Sequence, residues 1–249
     1  SGSPVELHPS FETLKKLSVV SFRPLTAILS DQDSLFRHDG KNFKKISPKR
    51  HGAMESWKDI FNKAARAIYC LPTEDQLLRF DRFRSELLIW NRKMSLLSLK
   101  TPYDLPVKHF VDSLTALPLL ENDSHGEAPH LLDLGTGAGF PGIPLKIMNE
   151  SIKLTLVDAS RKKTSFLKHA LRVLDLERTT VINARIENIA HDEGSYDYVV
   201  SRATFSLAEL IAMAHPFLSP GGTLISMKGK PSDDEVRCAA EMLSRVDMQ

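Results

Sequence analysis

Cysteine is scarce: Cys70 and Cys238 are the only two in 249 residues. Two thiols cannot build a disulfide framework, and neither has the CxxC or His/Cys neighbours that would suggest zinc, so redox and structural-metal roles drop out and no metal is expected. Long apolar runs are missing too. No stretch approaches the roughly 18 to 20 residues that cross a bilayer, and Ser1 to Pro9 lacks the charged and apolar regions of a signal peptide. A soluble cytoplasmic protein with no membrane partner is the expectation. Excess charge is also lacking, since the net value is only +2. That does not announce a nucleic-acid protein, so any such role must rest on where the charge lies. Internal repeats and low-complexity tracts are absent.

What is present divides into three. Residues 1–53 hold 9 Lys+Arg against 5 Asp+Glu, residues 54–120 hold 10 against 8, and residues 121–249 hold 14 against 18. This gradient fits either chance with a solvated tail or a basic side that faces RNA. Residues 1–53 show little periodicity and carry Lys41, Lys44, Lys45, Lys49 and Arg50, which suggests a basic, flexible, poorly ordered arm. Residues 54–120 read as a helical front segment. Trp57, Ile60, Phe61, Ala64, Ala65 and Ile68 recur at helical steps, Thr73 with Gln76 forms a capping box ahead of a second helix, and a third runs from Asp104-Leu105-Pro106 to Pro118. From 121 to 249 the texture is α/β. Strands are predicted near 130–134, 153–158, 179–183, 196–201 and 222–228, with helices near 141–149, 160–174, 206–217 and 232–245, the mark of a mainly parallel sheet flanked by helices on both faces.

The chemistry is carried by Leu131-Leu132-Asp133-Leu134-Gly135-Thr136-Gly137-Ala138-Gly139-Phe140-Pro141-Gly142, where a buried strand ends and a helix starts. Glycines there let the chain turn tightly and let a bulky cofactor approach the main chain. Asp158 ends the next strand 19 residues after Gly139, where it can accept hydrogen bonds from both ribose hydroxyls of an adenosine ligand. Gly137-x-Gly139-x-x-Gly142 also satisfies the dinucleotide fingerprint. Asp133 favours a methyl donor over a pyrophosphate, because like charges repel in a partly dry cleft. Ala184-Arg185-Ile186-Glu187 follows the third strand, where an adenine edge would lie. Ser201-Arg202-Ala203 follows the fourth, so Arg202 should face the crevice at the carboxyl ends of the strands; a lone Arg there is otherwise a surface ion-pair residue.

Taken in order, Leu88 to Leu96 with its Trp90-Asn91 pair, Lys108-His109-Phe110-Val111-Asp112-Ser113-Leu114, Asp133 to Pro144, Ser201-Arg202-Ala203 and Met227-Lys228-Gly229 resemble the glucose-inhibited division protein B family, RsmG, over about residues 55–245. The resemblance implies a Rossmann-like class I methyltransferase that uses S-adenosyl-L-methionine to methylate guanine N7 in bacterial small-subunit (16S) ribosomal RNA. It implies that Gly135, Phe140, Asp158, Ala159, Ser160, Ile186, Glu187 and Arg202 contact the donor, and that His109, Asp112, Ser113, Arg202 and Lys228 border the base or the RNA backbone. His109 and Asp112 could equally pair with each other within one helix turn. Ser95 departs from the family, which usually has Asn before the Leu equivalent to Leu96.

Guanine N7 bears a lone pair and no proton, so His109, Arg202 and Lys228 would have positioning roles, with no general base. Arg92, Lys93, Lys100, Lys108, Arg161, Lys162 and Lys163 are the expected contacts to RNA phosphates, although a basic first turn such as Arg161 to Lys163 is often a solvated helix face. The partner would be small-subunit ribosomal RNA or a ribosomal particle, and the enzyme a monomer. Because the sequence ends at Gln249, just after the helix that follows the fifth strand, the closing antiparallel strands of the fold have no residues. An open five-stranded sheet with one bare edge is expected, either because the chain is truncated at this end or because the sequence stops at the last ordered residue. A non-catalytic assembly factor that keeps the fold and a small-molecule methyltransferase are the alternatives.

Overall fold

The computed structural model describes residues 16–21, 38–39, 42–43, 56–101, 103–120, 128–189, 195–202, 205–228 and 231–246. The basic stretch from Lys41 to Arg50 falls outside them apart from the hairpin residues Asn42 and Phe43.

The front segment opens with α1 (Trp57–Ala67) and α2 (Glu74–Met94). The capping box at Thr73 forms as its spacing predicts. Gln76 N–H donates to Thr73 Oγ1 at 3.3 Å and Thr73 N–H donates to Gln76 Oε1 at 2.8 Å, which satisfies two of the backbone donors that a helix start leaves bare. Gln76 Nε2 also reaches the Met148 carbonyl at 3.0 Å and ties α2 to the α/β unit. The third helix departs from expectation: Asp104–Val111 is a π-helix, followed by a single α turn at Asp112–Leu114. Ser113 and Thr115 donate their hydroxyls to the carbonyls of His109 and Asp112, both at 2.6 Å, so local side-chain bonds satisfy acceptors that an irregular helix leaves over.

The α/β unit follows as β4 (His130–Leu134), α3 (Gly142–Met148), β5 (Lys153–Val157), α4 (Arg161–Leu174), β6 (Thr179–Ile182), β7 (Tyr196–Arg202), α5 (Leu207–Ala214), β8 (Leu218–Lys228) and α6 (Asp233–Arg245). Hydrogen-bonded neighbours run β1-β8-β7-β4-β5-β6, where β1 is Lys16–Ser21, and every pairing is parallel. Two short strands, β2 (His38–Asp39) and β3 (Asn42–Phe43), form a separate antiparallel pair. The expected five strands are all present, but the sheet has six. Its sixth member comes from the stretch expected to be a disordered arm: Lys16 to Ser21 pair in register with Thr223 to Lys228, so the β8 edge expected to be bare is covered. A strand edge with unpaired amides is a strong acceptor for any nearby extended segment, and sequence periodicity does not say which segment takes it.

Both faces of the sheet are buried. One side packs Phe61, Phe80, Phe83, Phe110 and Phe166 from the front segment and α4; the other packs Leu207, Leu210, Ile211 and Phe217 under α5 and α6. Burial on both sides explains the apolar runs in the central strands. Strand order reverses between β4 and β7, and at such a switch point the diverging connections open a crevice at the carboxyl ends.

Candidate active site

Asp133 lies at that reversal. Its Oδ2 accepts from Thr136 Oγ1 at 2.7 Å and from Gly142 N–H at 2.8 Å. Its Oδ1 is buried with no hydrogen-bond partner among the described residues. Burial pushes its pKa up to about 6, against the opposing pull of the Thr136 and Gly142 bonds and of Arg202. A buried carboxylate oxygen without a donor carries a desolvation cost that a cationic ligand group would offset.

The glycines that follow do different work. Gly135, Gly137 and Gly139 have φ of 70°, 62° and 93°, the left-handed region that side chains disfavour. A Cβ on Gly139 would lie 2.5 Å from Ile143 Cδ1, and one on Gly142 would lie 2.6 Å from Leu156 Cδ2 and 2.8 Å from Asp133 Oδ2. At these two positions the absent side chain also lets the loop pack closely against the neighbouring helix and strand. Gly137 is the open one, with only Lys163 Nζ at 4.0 Å from a built Cβ.

Asp158 closes the loop from the β5 side. Its Oδ2 accepts from Gly137 N–H at 3.0 Å and its Oδ1 from Ser160 N–H at 2.8 Å, with Lys163 Nζ 3.7 Å away. Each oxygen keeps a second lone pair for a hydroxyl. Asn183, just past β6, donates Nδ2 to the carbonyls of Asp158 and Ala159 at 3.1 Å each and holds this turn. The sequence reading passed over Asn183 and Thr136; a polar residue directly after a strand at the carboxyl edge was the available signal. Ser160 caps α4, Ala159 is exposed, Ile186 is buried against the second core, and Glu187 is exposed.

On the β7 side, Arg202 gathers the residues expected from the front segment. Its Nη1 donates to Asp112 Oδ2 at 3.2 Å and to the Lys108 carbonyl at 3.4 Å, and its Nη2 lies 3.1 Å from His109 Nδ1. The guanidinium sits over the Phe140 ring, 4.9 Å from the centroid, a cation–π contact strengthened by desolvation. Phe140 itself is core, packed on Phe83 and Phe110. His109 and Asp112 thus meet through Arg202. Burial, then the Arg202 charge, push His109 down to about 4, so its ring is neutral near pH 7 and Nδ1 accepts from the guanidinium. Burial raises Asp112 to about 6 although Arg202 pulls the other way, and Asp112 Oδ1 is a second buried oxygen with no partner among the described residues.

Lys228 ends β8 but turns to other partners, Glu235 on α6 and the Phe205 carbonyl. Its hydrogen bond to Glu235 holds that carboxyl below its usual range. Among the expected RNA contacts, Lys108 pairs with Asp104 at 2.7 Å. Burial opposes ionisation of Asp104, but bonds from Lys108, Thr101 and the Lys100 amide outweigh it and lower its pKa. Arg92, Lys93, Lys100, Arg161 and Lys162 are exposed and Lys163 is half-buried. Phe83 packs against Phe166, Trp90 against Phe166 and His169, and Glu86 bonds His169 at 2.8 Å. These contacts pack α2, whose last turn carries Arg92 and Lys93, against α4, whose first turn carries Arg161 to Lys163. Among the described residues no His/Cys/Asp/Glu group is placed to hold a metal, and no helix is long and apolar enough to cross a membrane.

The model of the family GidB, rRNA small subunit methyltransferase G, matches residues 76–248. The chain belongs to this family. A ribosomal RNA small subunit methyltransferase G from Syntrophus aciditrophicus is 39% identical over 75% of this chain and 78% of its own. Proteins of that name from Geobacter sp. strain M21 and Myxococcus xanthus are 37% identical, covering 78% and 76% of this chain and 87% and 84% of theirs. As a GidB-family methyltransferase, the chain takes S-adenosyl-L-methionine as its cofactor. The residues present fit that molecule: the orphaned Asp133 Oδ1 suits an ammonium, and Asp158 beside the open face of Gly137 suits a ribose.

Proposed function

We propose that this GidB-family chain methylates N7 of a guanine in bacterial 16S ribosomal RNA, within RNA or a small-subunit particle in the cytoplasm, as a monomer. The observation that carries the reading is the pair of buried carboxylate oxygens, on Asp112 and Asp133, that have no partner among the described residues of a chain of this family, Asp112 ion-paired with Arg202 and Asp133 within reach of the Arg202 charge. One faces a cationic donor and the other an acceptor that turns cationic. Asp133, Gly135, Gly137 and Gly139 with Asp158, Ala159 and Ser160 hold the donor; Phe140, Ile186, Glu187 and Arg202 border it.

When bound, S-adenosylmethionine supplies the methyl group: the N7 lone pair forms the new bond, the carbon–sulfur pair stays with sulfur, and no proton moves. The protein's part is positioning and electrostatics. Asp133 fixes the donor's ammonium, neutral His109 and Phe140 hold the Arg202 guanidinium in place, and the carboxylates stabilise charge that moves onto the base. Lys228 is a positioning residue that joins β8 to α6. Arg92, Lys93, Lys100, Lys108, Arg161, Lys162 and Lys163 face phosphates. The limits at 53/54 and 120/121 divide an N-terminal part that lends β1 to the sheet, the front that shapes the RNA side and the donor-binding unit.

Transfer of labelled methyl to purified small ribosomal subunits tests this. The wild-type chain should label one guanine at N7, and Asp158→Ala should lower kcat/KM by about 10-fold or more through loss of charge-assisted hydrogen bonds. Absence of label in the RNA, or label at another atom, sinks the assignment.

A further inference from the structure

We propose that Asp112 selects guanine: its carboxylate accepts hydrogen bonds from the N1–H and exocyclic N2–H of the target base. The inference rests on the guanine reading above and deepens it. The donor side of the cleft is built from β4 and β5, through Asp133, the glycine turn and Asp158. The acceptor therefore approaches from the β7 side, where Arg202 ends the strand and Asp112 stands against it.

Asp112 is 8% exposed and its Oδ1 has no hydrogen-bond partner among the described residues. Native proteins rarely leave such an atom unmet, and a catalytic role is one of the recognised reasons for an exception. Oδ2 is held by Arg202, which orients the carboxylate and leaves the buried Oδ1 with lone pairs that no donor among the described residues uses. Among the four bases, guanine alone presents two adjacent donors on its Watson–Crick edge. Adenine and cytosine place a ring-nitrogen lone pair beside the amino group, and uracil flanks its one N–H with carbonyls; each would bring a lone pair against the carboxylate. Reading this edge also leaves N7, on the opposite edge, open to the methyl group.

The same contact favours the reaction. As N7 becomes cationic, N1–H becomes more acidic and its bond to the carboxylate tightens. The interaction is thus stronger in the transition state than in the ground state and acts on kcat as well as KM. Irregular π turns often mark functional positions, and this residue directly follows one.

The test compares small subunits reconstituted with guanine or inosine at the methylated position; inosine lacks only the N2 amino group. Wild type should prefer guanine by about 10- to 100-fold in kcat/KM, the usual worth of a bidentate base contact. Asp112→Asn should lose rate on guanine by a similar factor and lose the preference, whereas Asp112→Glu should keep the preference at a reduced rate. Calorimetric affinity for S-adenosylhomocysteine should be unchanged in both variants, which a merely structural role would not predict. Equal rates on guanine and inosine for wild type overturn the inference even if a variant fails to fold, as does an Asn variant that retains the wild-type ratio. If wild type labels no guanine at all, the guanine reading falls first and this one with it.

Discussion

At Asp133, one carboxylate sets binding against stability. Its folded pKa of about 6 exceeds the ordinary value of 3.8. The proton-linked stabilisation is therefore complete below about pH 4 and is lost as pH rises through about 6. His109, depressed to about 4, works oppositely: its contribution is present above about 6.5 and is lost as pH falls through about 4. Asp133→Asn keeps an acceptor for Thr136 and Gly142 and removes the charge. In the ligand-free protein, denaturant titrations should show the variant gaining on wild type by on the order of 2 to 3 kcal/mol between pH 4 and pH 7.5, while its affinity for S-adenosylmethionine falls about 10-fold or more. Unchanged affinity would remove Asp133 from the donor site. Ser95 shows a different residue-level conflict. It ends α2 at φ 50°, a left-handed position that Asn tolerates better than Ser, which explains the family preference from which this chain departs. Asn91 compensates locally, its Oδ1 accepting from Leu97 N–H at 2.7 Å.

Among the elements, β1 lies in the stretch expected to be a poorly ordered arm. Lys16-Leu17-Ser18-Val19-Val20-Ser21 is a plausible strand by composition, but it lies in a polar stretch far from its partner, and only the bare β8 edge makes it a strand. Alternate amides of a strand point to one side, so either Ser18 or Val19 must donate toward β8. Replacing both with Pro should detach β1 and lower the melting temperature, and light scattering should report association through the exposed edge. A variant that melts and scatters like wild type would mean that β1 contributes nothing to the fold. The π-helix was equally hidden. Its apolar spacing, Phe110 to Leu114, reads as α-helix, and the irregular turn is settled by contacts to Arg202, 90 residues away along the chain from Asp112.

For the whole molecule, the net charge of +2 conceals an organised distribution. Two helices packed on each other, α2 and α4, carry exposed basic residues in their last and first turns, Arg92 and Lys93 on one and Arg161 and Lys162 on the other. Lysines at a helix start oppose the macrodipole, so the Arg161–Lys163 turn does not stabilise α4 and suits phosphate contact instead. Binding to small-subunit RNA should weaken steeply with salt. Converting Arg92, Lys93, Arg161 and Lys162 to Ala should reduce the slope of log affinity against log salt by about 3, at roughly 0.7 per phosphate contact on single strands. A slope that does not change would mean the phosphates lie elsewhere.

The sequence by itself determined the parallel α/β class, the Thr73 and Ser160 starts of α2 and α4, the glycine turn and the two acidic strand ends, because these depend on periodicity and on residue types a few positions apart. Tertiary structure alone decided which glycines face the protein and which face the cleft, the joining of His109 and Asp112 through Arg202, the diversion of Lys228 to Glu235, and the capture of β1 by β8. Each of these is a choice among chemically equivalent partners distant in sequence. Such choices follow from which surfaces folding brings within hydrogen-bond reach, and local pattern carries no record of that.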